Sequence, residues 1–202
     1  MITIHQHIQN AGECAFLLEY TSGRNFNYGY TNSLISNLKK SPKKKGTVEW
    51  GYKEKAISTC AELLCGALNH EWLKVGTIVP IPPSRSILDP DYDDRLYRTL
   101  QLLRKEVNVD VREIVKQRQS IRSAHENKGN RPSVQELYQN YYVDEHQAVP
   151  SPNEILIFDD VLTTGTHYAA IKQCLIERFP GVPIKGLFVA RRVFPNPFEE
   201  IQ

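Results

Sequence analysis

The chain has 202 residues, with 25 Lys and Arg against 23 Asp and Glu. That length suits one α/β domain of enzyme size with small additions, and the balanced charge argues against an obligate nucleic-acid binder. No apolar run approaches a membrane span, and the opening ITIHQHIQN is not a signal peptide, so a cytoplasmic protein without a membrane partner is expected.

Residues 2–30 mix short alternating stretches with Gly12, Gly23 and Gly29, a pattern that favours a hairpin or small sheet. His5 and His7 share one face of such a strand, but no third ligand of suitable type lies nearby, so no metal site is expected there. Lys39, Lys40, Lys43, Lys44 and Lys45 surround Pro42 and precede Gly46, an exposed loop by composition. Solvated lysines are the plain expectation for that block, with contact to nucleic acid or an acidic partner as the alternative. Residues 1–50 are therefore read as a small N-terminal hood or flap carrying a basic loop, and residues 51–202 as the core domain.

Over residues 53–69 the apolar positions Ile57, Cys60, Ala61, Leu64 and Leu68 recur at helical spacing, which predicts an amphipathic helix lying on a sheet. Residues 75–81 read as a buried strand that runs into Pro82-Pro83-Ser84-Arg85-Ser86, where prolines restrict the backbone and Ser84, Arg85 and Ser86 offer donors to an anion. A helix is predicted over residues 92–106 with Leu96, Leu100 and Leu103 on one face. The acids at its start either complement the helix dipole or act at a site, with Asp93 or Asp94 holding a metal-bound water and Arg95 reaching a phosphate. Residues 109–115 read as a strand. After it, residues 116–131 hold five Lys or Arg and one acid, with His125 and Gly129, a mobile basic loop by composition. Ser133 and Glu136 form a capping-box pattern, and residues 141–143 suit an edge strand.

Residues 155–167 read ILIFDDVLTTGTH. The apolar run suits a strand buried on both faces of a parallel sheet, which puts Asp159 and Asp160 at its C-terminal end, where open α/β sheets bind ligands. Ionised carboxylates accept hydrogen bonds from neighbouring hydroxyls, and a ribose diol fits that requirement. Thr163-Thr164-Gly165-Thr166 then turns into a helix whose free N–H groups and hydroxyls suit a phosphate. One ribose 5-phosphate could touch both halves. The helix continues to about residue 179 with Ala170, Ile171, Cys174 and Leu175 inward. Residues 184–190 form a last buried strand, followed by Arg191 and Arg192 near the cleft.

This stretch resembles the phosphoribosyl diphosphate (PRPP) motif of type I phosphoribosyltransferases, which are glycosyltransferases of nucleotide metabolism. In element order, and in its IVPIPPSR stretch, the chain is similar to the competence-protein-F-like branch. The resemblance implies a parallel sheet with helices on both faces and a small hood. It also implies that Asp159 and Asp160 meet the ribose hydroxyls while Leu162, Thr163, Thr164, Gly165, Thr166 and His167 wrap the 5-phosphate. His167 departs from the small, hydroxylated or Arg residue usual at that position, although imidazole can still donate to phosphate, more strongly when protonated. Ser84, Arg85 and Ser86, together with Arg118, Arg122 and Lys128 of the basic loop, are implied at the pyrophosphate. Thr163 falls at the family's general-base position, and a hydroxyl there is a poor base at neutral pH. Arg191 is a candidate for the acceptor, which could be a base, ammonia, a protein side chain or a nucleic-acid group.

The expected cofactor is Mg2+ carried mainly by PRPP, near Asp159 and Asp160, with no direct protein ligand. Cys14, Cys60, Cys65 and Cys174 form no CxxC and read as reduced cysteines, with Cys60 and Cys174 on apolar helical faces. The leading expectation is a phosphoribosyltransferase. The alternatives are a PRPP-binding regulatory module, and a component of a competence or defence assembly that contacts nucleic acid through the lysine loop. A homodimer or protein complex is also possible.

Overall fold

The structure is a computed structural model that describes residues 13–121 and 132–195. Its centre is a parallel sheet of five strands in the order β1-β7-β6-β2-β3: β1 (Cys14–Thr21), β2 (Gly76–Pro80), β3 (Asp110–Val111), β6 (Glu154–Leu162) and β7 (Ile184–Val193). β2 is buried at every position, and Ile155 to Phe158 of β6 are buried as well, as apolar runs covered on both faces must be. Phe158 and Phe188 are almost fully enclosed, each withdrawing enough apolar surface to contribute about 1.5–3 kcal/mol.

Two groups of helices cover the sheet. One comprises α1 (Tyr30–Leu38), α2 (Val48–Ala67) and α4 (Arg95–Glu106), which pack on one another. The other pairs α5 (Val134–Asn140) with α6 (Thr166–Arg178), beside a two-stranded antiparallel sheet of β4 (Val115–Gln117) and β5 (Tyr141–Val143). The short α3 (His70–Leu73) lays Trp72 over Gly76, where an added Cβ would come within 2.2 Å of the indole. The same indole donates to Glu154 at 2.7 Å, tying the start of β2 to the start of β6. No helix of the described residues is long and apolar enough to cross a membrane.

Several expectations are met. Ser133 caps α5 in a full capping box with Glu136, residues 141–143 are a strand, and Cys60 and Cys174 are buried free thiols whose pKa burial pushes up to about 12 and about 11.

Others need correction. Residues 14–38 are no separate hood: β1 is an edge strand of the main sheet, parallel to β7, and α1 packs on β1 and α2. The expected strand over residues 109–115 is two short pieces in different sheets. Its first residues pair with β2, Arg112 N–H donates to Ile78 O, and the chain then leaves for the two-stranded sheet. α4 begins at Arg95 rather than Tyr92 and has no acid within its first turn, but Asp93 just ahead of it still serves the helix start: its Oδ1 accepts the Arg95 backbone N–H at 3.2 Å. Its Oδ2 is bound to the Lys53 and Arg95 side chains.

Candidate functional site

From β2 the chain passes through α4 to β3 on one side, and from β6 it passes through α6 to β7 on the other. The crossovers diverge between neighbouring strands, which leaves a crevice at the strand ends where α/β sheets bind ligands. β6 also outruns β2. Pairing between them stops at Pro80 and Phe158, Ile81 N–H makes a last bond to Phe158 O, and Asp159 and Asp160 overhang the gap. A cavity of about 260 Å³ opens there, lined by residues from the ends of β2 and α1, the start of α4, β6 and α6.

Successive strand residues face opposite ways, so the two acids part company. Asp160 is 2% exposed and both its oxygens are taken: Oδ1 by the Lys39 ammonium at 2.9 Å, Oδ2 by Nε and Nη2 of Arg95 at 2.8 and 2.5 Å. Burial alone would raise its pKa, but those two cations hold its carboxyl well below the usual range. Asp159 is half-buried. One of its oxygens accepts the Asp160 N–H at 2.7 Å, and the other has no hydrogen-bond partner among the described residues. Burial, with the Asp160 charge beside it, pushes the Asp159 carboxyl up to about 7. The expectation that twin carboxylates jointly present free oxygens is therefore corrected: Asp159 keeps one oxygen without a partner among the described residues, while both oxygens of Asp160 are engaged by cations.

Behind Asp160 the charges continue. Arg95 also binds Asp93 at 2.9 Å, and Asp93 accepts from Lys53 at 2.9 Å. Lys53 is wholly enclosed, and its ammonium has three acceptors, Asp93 and the carbonyls of Leu38 and Lys40, each carbonyl at 2.8 Å. Burial lowers the Lys53 pKa while Asp93 opposes that shift. The site's cations, Lys39 and Lys53, were missed as site residues in the sequence. Lys53 left a signal, since it stands one helical turn before Ile57 on the same apolar stripe, where a solvated lysine does not belong. Lys39 left none within its block of lysines. Of the rest of that block, Lys43, Lys44 and Lys45 are exposed as expected while Lys40 is half-buried, and two are matched by acids, Lys43 with Asp91 at 2.7 Å and Lys44 with Glu49 at 2.9 Å.

Residues 163–166 form the expected turn. Gly165 takes φ 75° and ψ 10°, left-handed angles that glycine adopts without strain, and sits at the N-cap of α6. Thr164 and Thr166 hydroxyls lie 2.8 Å apart, and the first N–H groups of the helix open toward this turn. Leu162 is 1% exposed, so its side chain belongs to the core rather than to any ligand. His167 lines the cavity, with Nδ1 2.7 Å from the Tyr141 hydroxyl. Burial lowers its pKa, which makes a neutral imidazole, not the protonated donor, the form to expect here.

The remaining sequence candidates are not brought together. Ser84 lines the cavity, and its carbonyl accepts from Ile121 N–H at 2.7 Å, but Arg85 and Ser86 line a neighbouring cavity of about 350 Å³ with Tyr92, Glu113 and Tyr142. Ser86 N–H is held by the Ser120 hydroxyl at 2.8 Å. Arg118 lies over the Tyr142 ring at 5.3 Å and lines another pocket, beside α5 and α6. Arg122 and Lys128 lie outside the described residues, as do His5 and His7. Arg191 does not reach the cavity: the β1–β7 register sets it opposite Glu19, which accepts from its Nε at 3.0 Å and its Nη2 at 2.5 Å. Among the described residues no cluster of three or more His, Cys, Asp or Glu could hold a metal.

Fold and cavity together define an α/β protein with a charged crevice at the switch point of a parallel sheet. No family model matches the chain, and no curated protein matches it.

Proposed function

We propose that the chain binds PRPP with magnesium and transfers its ribose 5-phosphate to a nucleophile, releasing pyrophosphate. The observation that carries this reading is the pairing, at one crevice, of the open Asp159 oxygen with the turn of residues 163–166 that starts α6. A carboxylate suits a sugar hydroxyl, and a glycine-containing turn at a helix N-terminus suits the phosphate a few residues away.

In the transfer the bond from the anomeric carbon to the pyrophosphate oxygen breaks, its electron pair leaves with that oxygen, and a bond to the nucleophile forms. Negative charge grows on the leaving group, so cations in the same cavity do the most for the rate, and Lys39 and Arg95 are those cations. Asp159, with its pKa near neutrality, is the cavity group best matched to take the nucleophile's proton, which Thr163 is not. Magnesium would be held chiefly by substrate phosphates, with Asp159 the residue that could hold one of its waters, and it would supply neutralisation of charge on the pyrophosphate.

A second reading, a regulatory module that binds PRPP without turnover, is favoured by one observation: both oxygens of Asp160 are already engaged, by Lys39 and Arg95. Incubation with PRPP, magnesium and a panel of nitrogen nucleophiles separates the two. Pyrophosphate release supports transfer, PRPP binding without release supports the regulatory module, and no binding removes both.

A further inference from the structure

Asp160 stands in the cavity, yet its side chain is 3% exposed, and while Lys39 lies on Oδ1 and Arg95 on Oδ2 a sugar hydroxyl has little access to either oxygen. The two cations are not equally fixed. Arg95 grips Oδ2 through two N–H groups, is anchored by Asp93 as well, and its side chain is 20% exposed. Lys39 makes a single contact through a flexible stem, and its side chain is 44% exposed. The backbone beneath Lys39 is nevertheless firm, because the buried Lys53 ammonium holds the carbonyls on either side of it, those of Leu38 and Lys40. Lys39 can therefore change partner by side-chain rotation alone. Its departure leaves Asp160 paired with Arg95, so no buried charge is stranded.

We propose that Lys39 exchanges between Asp160 and the anionic group at the anomeric end of the ligand, so that Asp160 Oδ1 becomes a hydroxyl acceptor only for sugars that carry such a group. This rests on the phosphoribosyl reading above and adds a specificity-determining residue to it. The 5-phosphate belongs to the turn of residues 163–166, so the group that draws Lys39 is the pyrophosphate. Lys39 thereby distinguishes PRPP from ribose 5-phosphate, which offers nothing at that end.

Calorimetric titration of PRPP with magnesium, and separately of ribose 5-phosphate, into the unaltered protein, Lys39→Met and Lys39→Arg tests the exchange. The expected result for Lys39→Met is a loss of about tenfold or more in PRPP affinity, with ribose 5-phosphate affinity unchanged or raised because Oδ1 is already open. Lys39→Arg should recover most of the PRPP affinity. Equal changes for both ligands, or no change for either, would overturn the exchange while leaving the phosphoribosyl reading standing. Failure of the unaltered protein to bind either ligand would overturn both.

Discussion

Replacing Lys53 with Met tests the buried charge network where it is most enclosed. The ammonium has no solvent exposure and donates to Asp93 and to the carbonyls of Leu38 and Lys40, so nothing but protein satisfies it. Breaking a buried ion pair from one side costs about 3–5 kcal/mol, because the abandoned partner stays buried without compensation. Asp93 keeps Arg95, and Met fills much of the vacated volume, which places the expected loss at the lower end, about 3 kcal/mol. For a chain of this length about 2–4 °C of Tm follows each kcal/mol, so thermal unfolding should shift downward by roughly 6–12 °C. Chemical denaturation of Lys53→Met, Asp93→Asn and the double variant then gives a coupling of about 1–3 kcal/mol if the two act as a pair. A Met variant as stable as the parent, or additive single effects, would refute the assignment of Lys53 as the anchor of the α1 terminus.

The other expectations concern the cleft. Asp159 holds its proton more tightly in the folded chain than in the unfolded one, with pKa about 7 against 3.8, so its contribution to stability is full below 3.8 and is lost as pH rises through about 7. The difference in unfolding free energy between Asp159→Asn and the parent should therefore change across that window, and a flat difference would contradict the raised pKa. Asp160 runs the other way: its lowered pKa gives stability that is present above 3.8 and lost as pH falls further, so Asp160→Asn should remove part of the acid-induced loss seen by circular dichroism below pH 3.8. Gly165→Ala forces a side chain into left-handed angles at a cost of about 1–2 kcal/mol, and should weaken binding of ribose 5-phosphate by more than that stability loss explains. Binding that tracks stability alone would deny the turn a ligand.

How far the sequence foretold this can be read element by element. Local pattern was sufficient for β6, the turn at Gly165 and the start of α6, because a buried strand, two acids and a glycine turn are contiguous. It was sufficient for β2 and the Ser133 cap for the same reason. It failed for β1, whose partner β7 lies far along the chain: the alternation in CAFLLEYT shows a strand but not which sheet receives it. The loss of Arg191 as a cleft residue has the same origin, since only the β1–β7 register sets it against Glu19. After Pro83 the turn is divided between two cavities, Ser84 lining the one with the acids and Arg85 and Ser86 its neighbour, and Ser86 is held there by Ser120, a contact no local spacing reveals. The divergence of Asp159 and Asp160, by contrast, was implicit in strand alternation, while the cations that seize Asp160 come from two helices distant in sequence.

The central claim is that the Asp159 oxygen and the turn before α6 hold one phosphorylated pentose. Titration of PRPP with magnesium into the parent and into Asp159→Asn measures this most directly. The account predicts saturable binding at one site in the parent and affinity lower by about tenfold or more in the variant. An absence of binding in the parent, or equal affinity in the two proteins, would contradict it.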